Sequence, residues 1–151
     1  MLAQYLDIEK VRLGERMQVH WHVAEDTLDE VVPPLLLQPL VENAVVHAIA
    51  RRIRPGSVRI GAAIVSGALW LDVEDDGAEG LPDVEGNGIG LANTRARLQA
   101  LYGDAAALSI EPSKGGGTRV GLRLPRLHGA SVDIRDAVAA RALRFDQVPV
   151  R

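Results

Sequence analysis

Two apolar runs, residues 57–65 and 68–75, are separated by only Ser66-Gly67. A two-residue connection joins antiparallel neighbours, because a parallel pair needs a crossover of about a dozen residues or more. The middle of the chain is therefore a hairpin, and the other elements have to extend its sheet or cover it.

Two segments with helical spacing flank the hairpin. In residues 35–50, LLLQPLVENAVVHAIA, the side chains of Leu36, Leu40, Ala44 and Ile49 fall near one face. Pro33 and Pro34 set the entry. Pro39 has no N–H, so the regular helix is expected to begin near Gln38, after an irregular leucine turn. Residues 88–102 form the second helix, with Ile89, Leu91, Leu98 and Leu101 available for burial and Gly103 as its stop.

The remaining elements follow from the same periodicities. Residues 1–13 read as a helix with Leu2, Tyr5, Leu6, Glu9 and Leu13 along one side, stopped at Gly14. Residues 17–24 alternate as a strand, with Val19, Trp21 and Val23 on one face and Gln18, His20 and His22 on the other. His20 and His22 have the spacing of a strand-borne metal pair, but no third ligand is near in sequence, and solvated histidines are the favoured reading. Residues 106–110 and 118–124 make a last strand pair. Residues 76–87 are a glycine-rich loop. Residues 131–143 are patterned for a helix, and docking and disorder of this tail stay equally open.

Composition bounds the function. A length of 151 residues is one domain with an appendage. The net charge of −3 argues against a nucleic-acid partner gripped by a basic face. Without cysteine there is neither a disulfide framework nor a thiolate metal site. The opening MLAQYLDIEK is not patterned as a signal peptide, and no apolar run reaches the roughly 18 residues of a membrane helix.

Three loops and one helix edge carry the chemistry. Asn43 and His47, four apart, share an edge of the first long helix. An amide oxygen is a hard ligand suited to Mg²⁺, and an imidazole can donate to a phosphate. A capped core helix with a solvated edge would use the same residues. Asp75, at a strand end before Asp76-Gly77, can accept a hydrogen bond from the exocyclic amine of adenine; guanine offers a carbonyl there instead. Gly86-Asn87-Gly88-Ile89-Gly90-Leu91 runs into a helix, where backbone N–H groups and the helix dipole favour phosphate. No strand immediately precedes it and no lysine follows, so dinucleotide-binding and P-loop readings fit poorly. Arg95 and Arg97 lie in the first turns of that helix, within reach of phosphate oxygens or simply solvated. Gly115-Gly116-Gly117-Thr118 opens the last strand, with a hydroxyl for adenine or for Asp75.

Asn43, Asp75-Asp76-Gly77, the 86–91 glycine loop and Gly117-Thr118 occur in the order of the N, G1, G2 and G3 boxes of the GHKL ATPase superfamily. LQPLVENAVVHAI and GNGIGLANTRARLQALYG resemble the LytS-type sensor histidine kinases. YLDIEKVRLGERM resembles the segment that joins their phosphoacceptor helices to the catalytic domain. The resemblance runs from about Leu2 to Pro125. It implies an α/β (α+β) Bergerat-type two-layer sandwich, a mixed, mostly antiparallel sheet with helices on one face. It divides the chain into the end of a joining helix (residues 1–14), an ATP-binding catalytic domain (15–126) and a tail (127–151).

The implied chemistry is transfer of the ATP γ-phosphoryl group, with Mg²⁺, to a histidine on a separate helical domain. A homodimeric full-length protein, an indirect response-regulator partner and a cytoplasmic location follow from the same resemblance. Asp75 would read adenine beside Thr118, and Asn43 would hold Mg²⁺. His47, Gly77, Gly86, Gly88, Ile89, Gly90, Leu91 and Arg95 would complete the ATP site, with residues 79–85 closing over it. Departures from the pattern are Val46 where the family has a lysine, and Glu79 where the G1 box has its second glycine. Pro39 stands where the superfamily's ATPases carry a water-activating glutamate. Glu42 is the remaining candidate base, although on an ideal helix it points about 100° from Asn43. His20, His22, His47 and His128 all lack the helical setting of a phosphoacceptor. The alternatives are a non-catalytic ATP-sensing module and an anti-sigma-factor-type serine kinase.

Overall fold

The computed structural model describes residues 2–46, 49, 53–77 and 88–126. The elements are α1 (Leu2–Leu13), β1 (Met17–Val23), α2 (Gln38–Val45), β2 (Gly56–Val65), β3 (Ala68–Asp75), α3 (Gly88–Tyr102), β4 (Ala107–Pro112) and β5 (Thr118–Pro125). The strands form one sheet in the order β1-β2-β3-β5-β4. Only the β1–β2 pair is parallel, and the segment between these strands carries α2 as the crossover that parallel pairing demands. The β2–β3 hairpin turns at Ser66 and Gly67, whose φ values of 50° and 76° are those of a two-residue turn matching the strand twist.

Alternation along the strands sends Val58, Ile60, Leu69, Leu71, Val73, Val120, Leu122 and Leu124 into the core. They meet Leu40, Val41, Ala44 and Val45 of α2 and Leu91 and Leu98 of α3 in one cluster. Leu6 and Leu13 of α1 join this cluster, so α1 is packed on the core. The other sheet face is laced with charge: Arg59 pairs with Glu74, and Arg119 Nε lies 3.4 Å from Asp72.

As Pro39 required, regular helix begins at Gln38, with Pro39 in the first turn where its missing N–H costs nothing. Leu35 turns the chain with a φ of 61°, exposed, and Leu36 is buried. The expected β1 face holds only in part. Trp21 and Val23 share Val19's side of the strand but are 49% and 43% exposed, because β1 is an edge strand. Where the described chain ends, Arg126 Nε donates to Glu30 at 2.6 Å, tying the end of β5 to the loop before α2. The predicted tail helix lies outside the described residues. No helix among the described residues is long and apolar enough to cross a membrane.

Candidate nucleotide site

Asp75 is the last residue of β3 and is buried, 8% exposed, beside Thr118, which is also buried. Its Oδ1 accepts the Gly77 N–H at 2.8 Å and the Thr118 main-chain N–H at 3.3 Å. The first bond folds the chain back within two residues, since an aspartate side chain commonly bonds its own backbone two residues on. The expected Thr118 contact is thus made through its main chain. The carboxylate faces the helix side of the sheet, in line with Val73 and Leu71.

Gly117 makes this approach possible. A Cβ on it would stand 2.2 Å from the Asp75 carbonyl oxygen, 2.5 Å from Gly77 N and 2.7 Å from Asp75 Oδ1, and its φ is +80°. The loop carrying it is closed by Ser113 N–H to the Gly117 oxygen at 3.1 Å and Gly116 N–H to the Ser113 oxygen at 3.1 Å. The Ser113 hydroxyl also donates to Glu74, which fastens the loop to β3.

Asp76 does something the sequence reading did not single out. Its N–H donates to the Ser57 oxygen at 3.3 Å, continuing the β2–β3 ladder. The return bond does not go to the Asp76 carbonyl. Instead Ser57 N–H donates to Asp76 Oδ1 at 2.9 Å, and the Ser57 hydroxyl donates to Oδ2 at 3.0 Å. The available signal was an aspartate before a glycine at a strand end; its partner depended on register.

On the helix side, α2 packs against β3 and α3. Gly90 lies where the two helices come close, a Cβ on it standing 3.6 Å from Pro39 Cβ. Asn43 is half-buried, and its Nδ2 is buried with no hydrogen-bond partner among the described residues. The two ends of an amide exchange by a half-turn, so this group can present oxygen or nitrogen to a ligand. A hard oxygen donor with an unsatisfied end fits Mg²⁺. Glu42 behaves differently. Gln38 Nε2 donates to it at 2.9 Å, and its charge bears on Tyr5 of α1. Burial first, then Glu9, then Glu42 push the Tyr5 phenol up to about 12, against an opposing pull from Arg12.

The G2 segment supplies the start of α3. Gly88, Ile89 and Gly90 are helical, Leu91 is buried, and Arg95 is exposed. Thr94 is buried, its hydroxyl donating to the Gly90 oxygen at 2.9 Å. The Ile89 side chain, His47, Gly86, Arg51, Arg52 and the closing segment 79–85 lie outside the described residues. His20 and His22 are both exposed, and among the described residues no group of three metal-ligating side chains exists.

The arrangement has known counterparts. Residues 29–128 match the family of histidine kinase-, DNA gyrase B- and HSP90-like ATPases. The chain is 33% identical over 121 residues to the sensor histidine kinase BtsS of Escherichia coli, covering 80% of this chain and 22% of that protein. It is 34% identical over 134 residues to the sensor protein LytS of Enterococcus faecalis, covering 80% of this chain and 23% of that one. The chain therefore spans about a fifth of the length of these relatives. Among solved structures, the histidine kinase domain of the Erythrobacter litoralis EL346 blue-light activated kinase superposes with a TM-score of 0.62 at 23% identity. That match covers 92% of this chain and 63% of that one, and it shows the shared fold. The chain belongs to the histidine kinase-, gyrase B- and HSP90-like ATPase family, as an ATP-binding catalytic domain of the sensor histidine kinase kind.

Proposed function

We propose that this chain holds Mg-ATP between α2, α3 and the ends of β3 and β5, and delivers the γ-phosphoryl group to a histidine on a separate helical domain. The observation that carries the reading is the buried Asp75 carboxylate, gripped through Oδ1 by two main-chain N–H groups. Core packing does not require a carboxylate there, and burying one without a task is costly. Asp75 accepts the adenine exocyclic amine, with Thr118 beside it. The main chain of Gly77, Gly86, Gly88 and Gly90 lines the path of the phosphates, whose charge the start of α3 favours. Leu91 would back that path and Arg95 would reach phosphate oxygens, with Ile89 and His47 assigned to the site by the resemblance alone.

Asn43 would hold the Mg²⁺, which when bound neutralises phosphate charge. In the transfer, an imidazole nitrogen of the acceptor bonds to the γ-phosphorus while the bond to the bridging oxygen breaks and ADP departs. Water must be kept from that position. Pro39 in place of the ATPases' glutamate suits this requirement. Glu42 accepts a hydrogen bond from Gln38 one turn before it in α2, which occupies part of its carboxylate. In the whole protein the acceptor helices belong to a cytoplasmic homodimer that passes the phosphoryl group to a response regulator.

Calorimetric titration with a non-hydrolysable ATP analogue, with and without Mg²⁺, tests the site. Binding is abolished by Asp75→Asn and made insensitive to Mg²⁺ by Asn43→Ala. Undiminished binding by Asp75→Asn refutes the adenine assignment. Phosphotransfer from ATP to a separately supplied acceptor domain distinguishes a kinase from a nucleotide sensor.

A further inference from the structure

We infer that Asp76, through its carboxylate clamp on Ser57, is a positioning residue that sets the adenine selectivity of Asp75. The inference rests on the adenine reading above and concerns the neighbour that no adenine contact requires.

In an antiparallel pair, opposed residues at every second rung exchange both N–H···O bonds. Val58 is opposed to Asp75, so the next rung is Ser57 with Asp76. Half of that rung is ordinary, from Asp76 N–H to the Ser57 oxygen. In the other half the Asp76 side chain stands in for its own carbonyl: Oδ1 takes the Ser57 N–H and Oδ2 the Ser57 hydroxyl. The substitution releases the Asp76 carbonyl from the ladder without leaving the Ser57 N–H unsatisfied. The backbone then leaves the sheet at Asp76, which brings Gly77 N–H round to Asp75 Oδ1. On the other side, Thr118 N–H reaches the same oxygen across the Gly117 gap.

Oδ1 of Asp75 is thus oriented by two main-chain donors, one of which follows directly on the Asp76–Ser57 clamp. Selectivity between adenine and guanine depends on that orientation. A fixed carboxylate accepts from an amine and repels a carbonyl, whereas a carboxylate free to swing away tolerates either. Asp76 and Ser57 act through Asp75 and need not touch the nucleotide.

The test is the ratio of affinities for non-hydrolysable ATP and GTP analogues, measured on the whole chain and its variants beside their thermal unfolding. The ratio is the informative readout, because a merely structural loss or a change of charge near the triphosphate moves both affinities together. Asp76→Ala removes two bonds and is expected to narrow the ratio about tenfold, and Ser57→Ala, which removes one, about threefold. Asp76→Asn is expected to keep most of the discrimination. Its amide oxygen still accepts the Ser57 N–H, and its NH₂ can donate to the Ser57 hydroxyl. An unchanged ratio in Asp76→Ala, or equal narrowing by Asp76→Asn and Asp76→Ala, overturns the inference. If Asp76→Ala shows no cooperative unfolding, an unchanged ratio in Ser57→Ala overturns it instead. Undiminished ATP-analogue binding in Asp75→Asn would mark failure of the adenine reading itself.

Discussion

Gly117→Ala tests the architecture of the site most directly, because the three glycines of its loop differ in what a methyl group meets. At Gly117 the added carbon stands 2.2 Å from the Asp75 carbonyl oxygen, and ordinary contact begins at 3.4 Å. Relief requires the strand and loop to separate by about 1 Å, since repulsion at such distances is far steeper than any packing gain. That movement takes the Thr118 donor, now 3.3 Å from Oδ1, out of hydrogen-bonding range, while Gly77, two residues from Asp75 on the same segment, keeps its bond. Each such bond to a charged acceptor contributes roughly 1.5 kcal/mol or more. The φ of +80° adds about 1 kcal/mol of strain for any L side chain. The variant should thus lose about 2.5 kcal/mol, which for a chain of this size lowers the unfolding midpoint by roughly 6 °C.

Its neighbours are internal controls. A Cβ at Gly116 meets only the Gly77 oxygen at 3.7 Å, though its φ is +87°, so Gly116→Ala carries the strain without the clash. A Cβ at Gly115 has nothing within 4 Å, and Gly115→Ala should change stability by less than about 0.5 kcal/mol. Differential scanning calorimetry gives the order, and titration with an ATP analogue shows whether binding follows it. A Gly117→Ala chain that unfolds at the wild-type temperature and binds the analogue normally would refute the reasoning, as would equal effects at all three positions.

Other perturbations test separate links. Asp75→Asn keeps an oxygen for the two main-chain donors but turns a donor toward the adenine amine; it should cost about a hundredfold or more in ATP-analogue affinity with little change in unfolding midpoint. Arg126→Met strands the Glu30 carboxylate, whose side chain is 2% exposed, and should destabilise by about 3 kcal/mol in urea titration. Leu122→Ala opens a fully buried position at the centre of the sheet and should cost about 3 kcal/mol by the same assay. Tyr5 and Tyr102, the two tyrosines, both have phenols pushed from 10.0 up to about 12. The folded chain then binds more protons than the unfolded one between these values, so stability is complete below pH 10 and falls as pH rises toward about 12. Tyrosinate absorbance appearing near pH 10 while the chain is still folded would contradict that.

Local chemistry was legible in the sequence. The Ser66-Gly67 turn, the helix stops at Gly14 and Gly103 and the start of α2 at Gln38 follow from backbone restrictions carried by a residue and its immediate neighbours. The order of the glycine boxes identified the family for the same reason, since each box is a short stretch whose backbone must approach a phosphate or a base. What depends on residues far apart in the chain was not legible. Periodicity put Val19, Trp21 and Val23 on one face, but only the strand order makes β1 an edge on which Trp21 and Val23 stay exposed. Glu42 stood beside Asn43 as a candidate base, and folding adds the Tyr5 phenol of α1 to the groups on which its charge acts. Asp76 looked like a loop residue until register placed Ser57 opposite it, 19 positions earlier. The sequence by itself determined which residues can do nucleotide chemistry. Tertiary structure decided which of them are oriented to do it, because orientation comes from partners that only folding brings within a few ångströms.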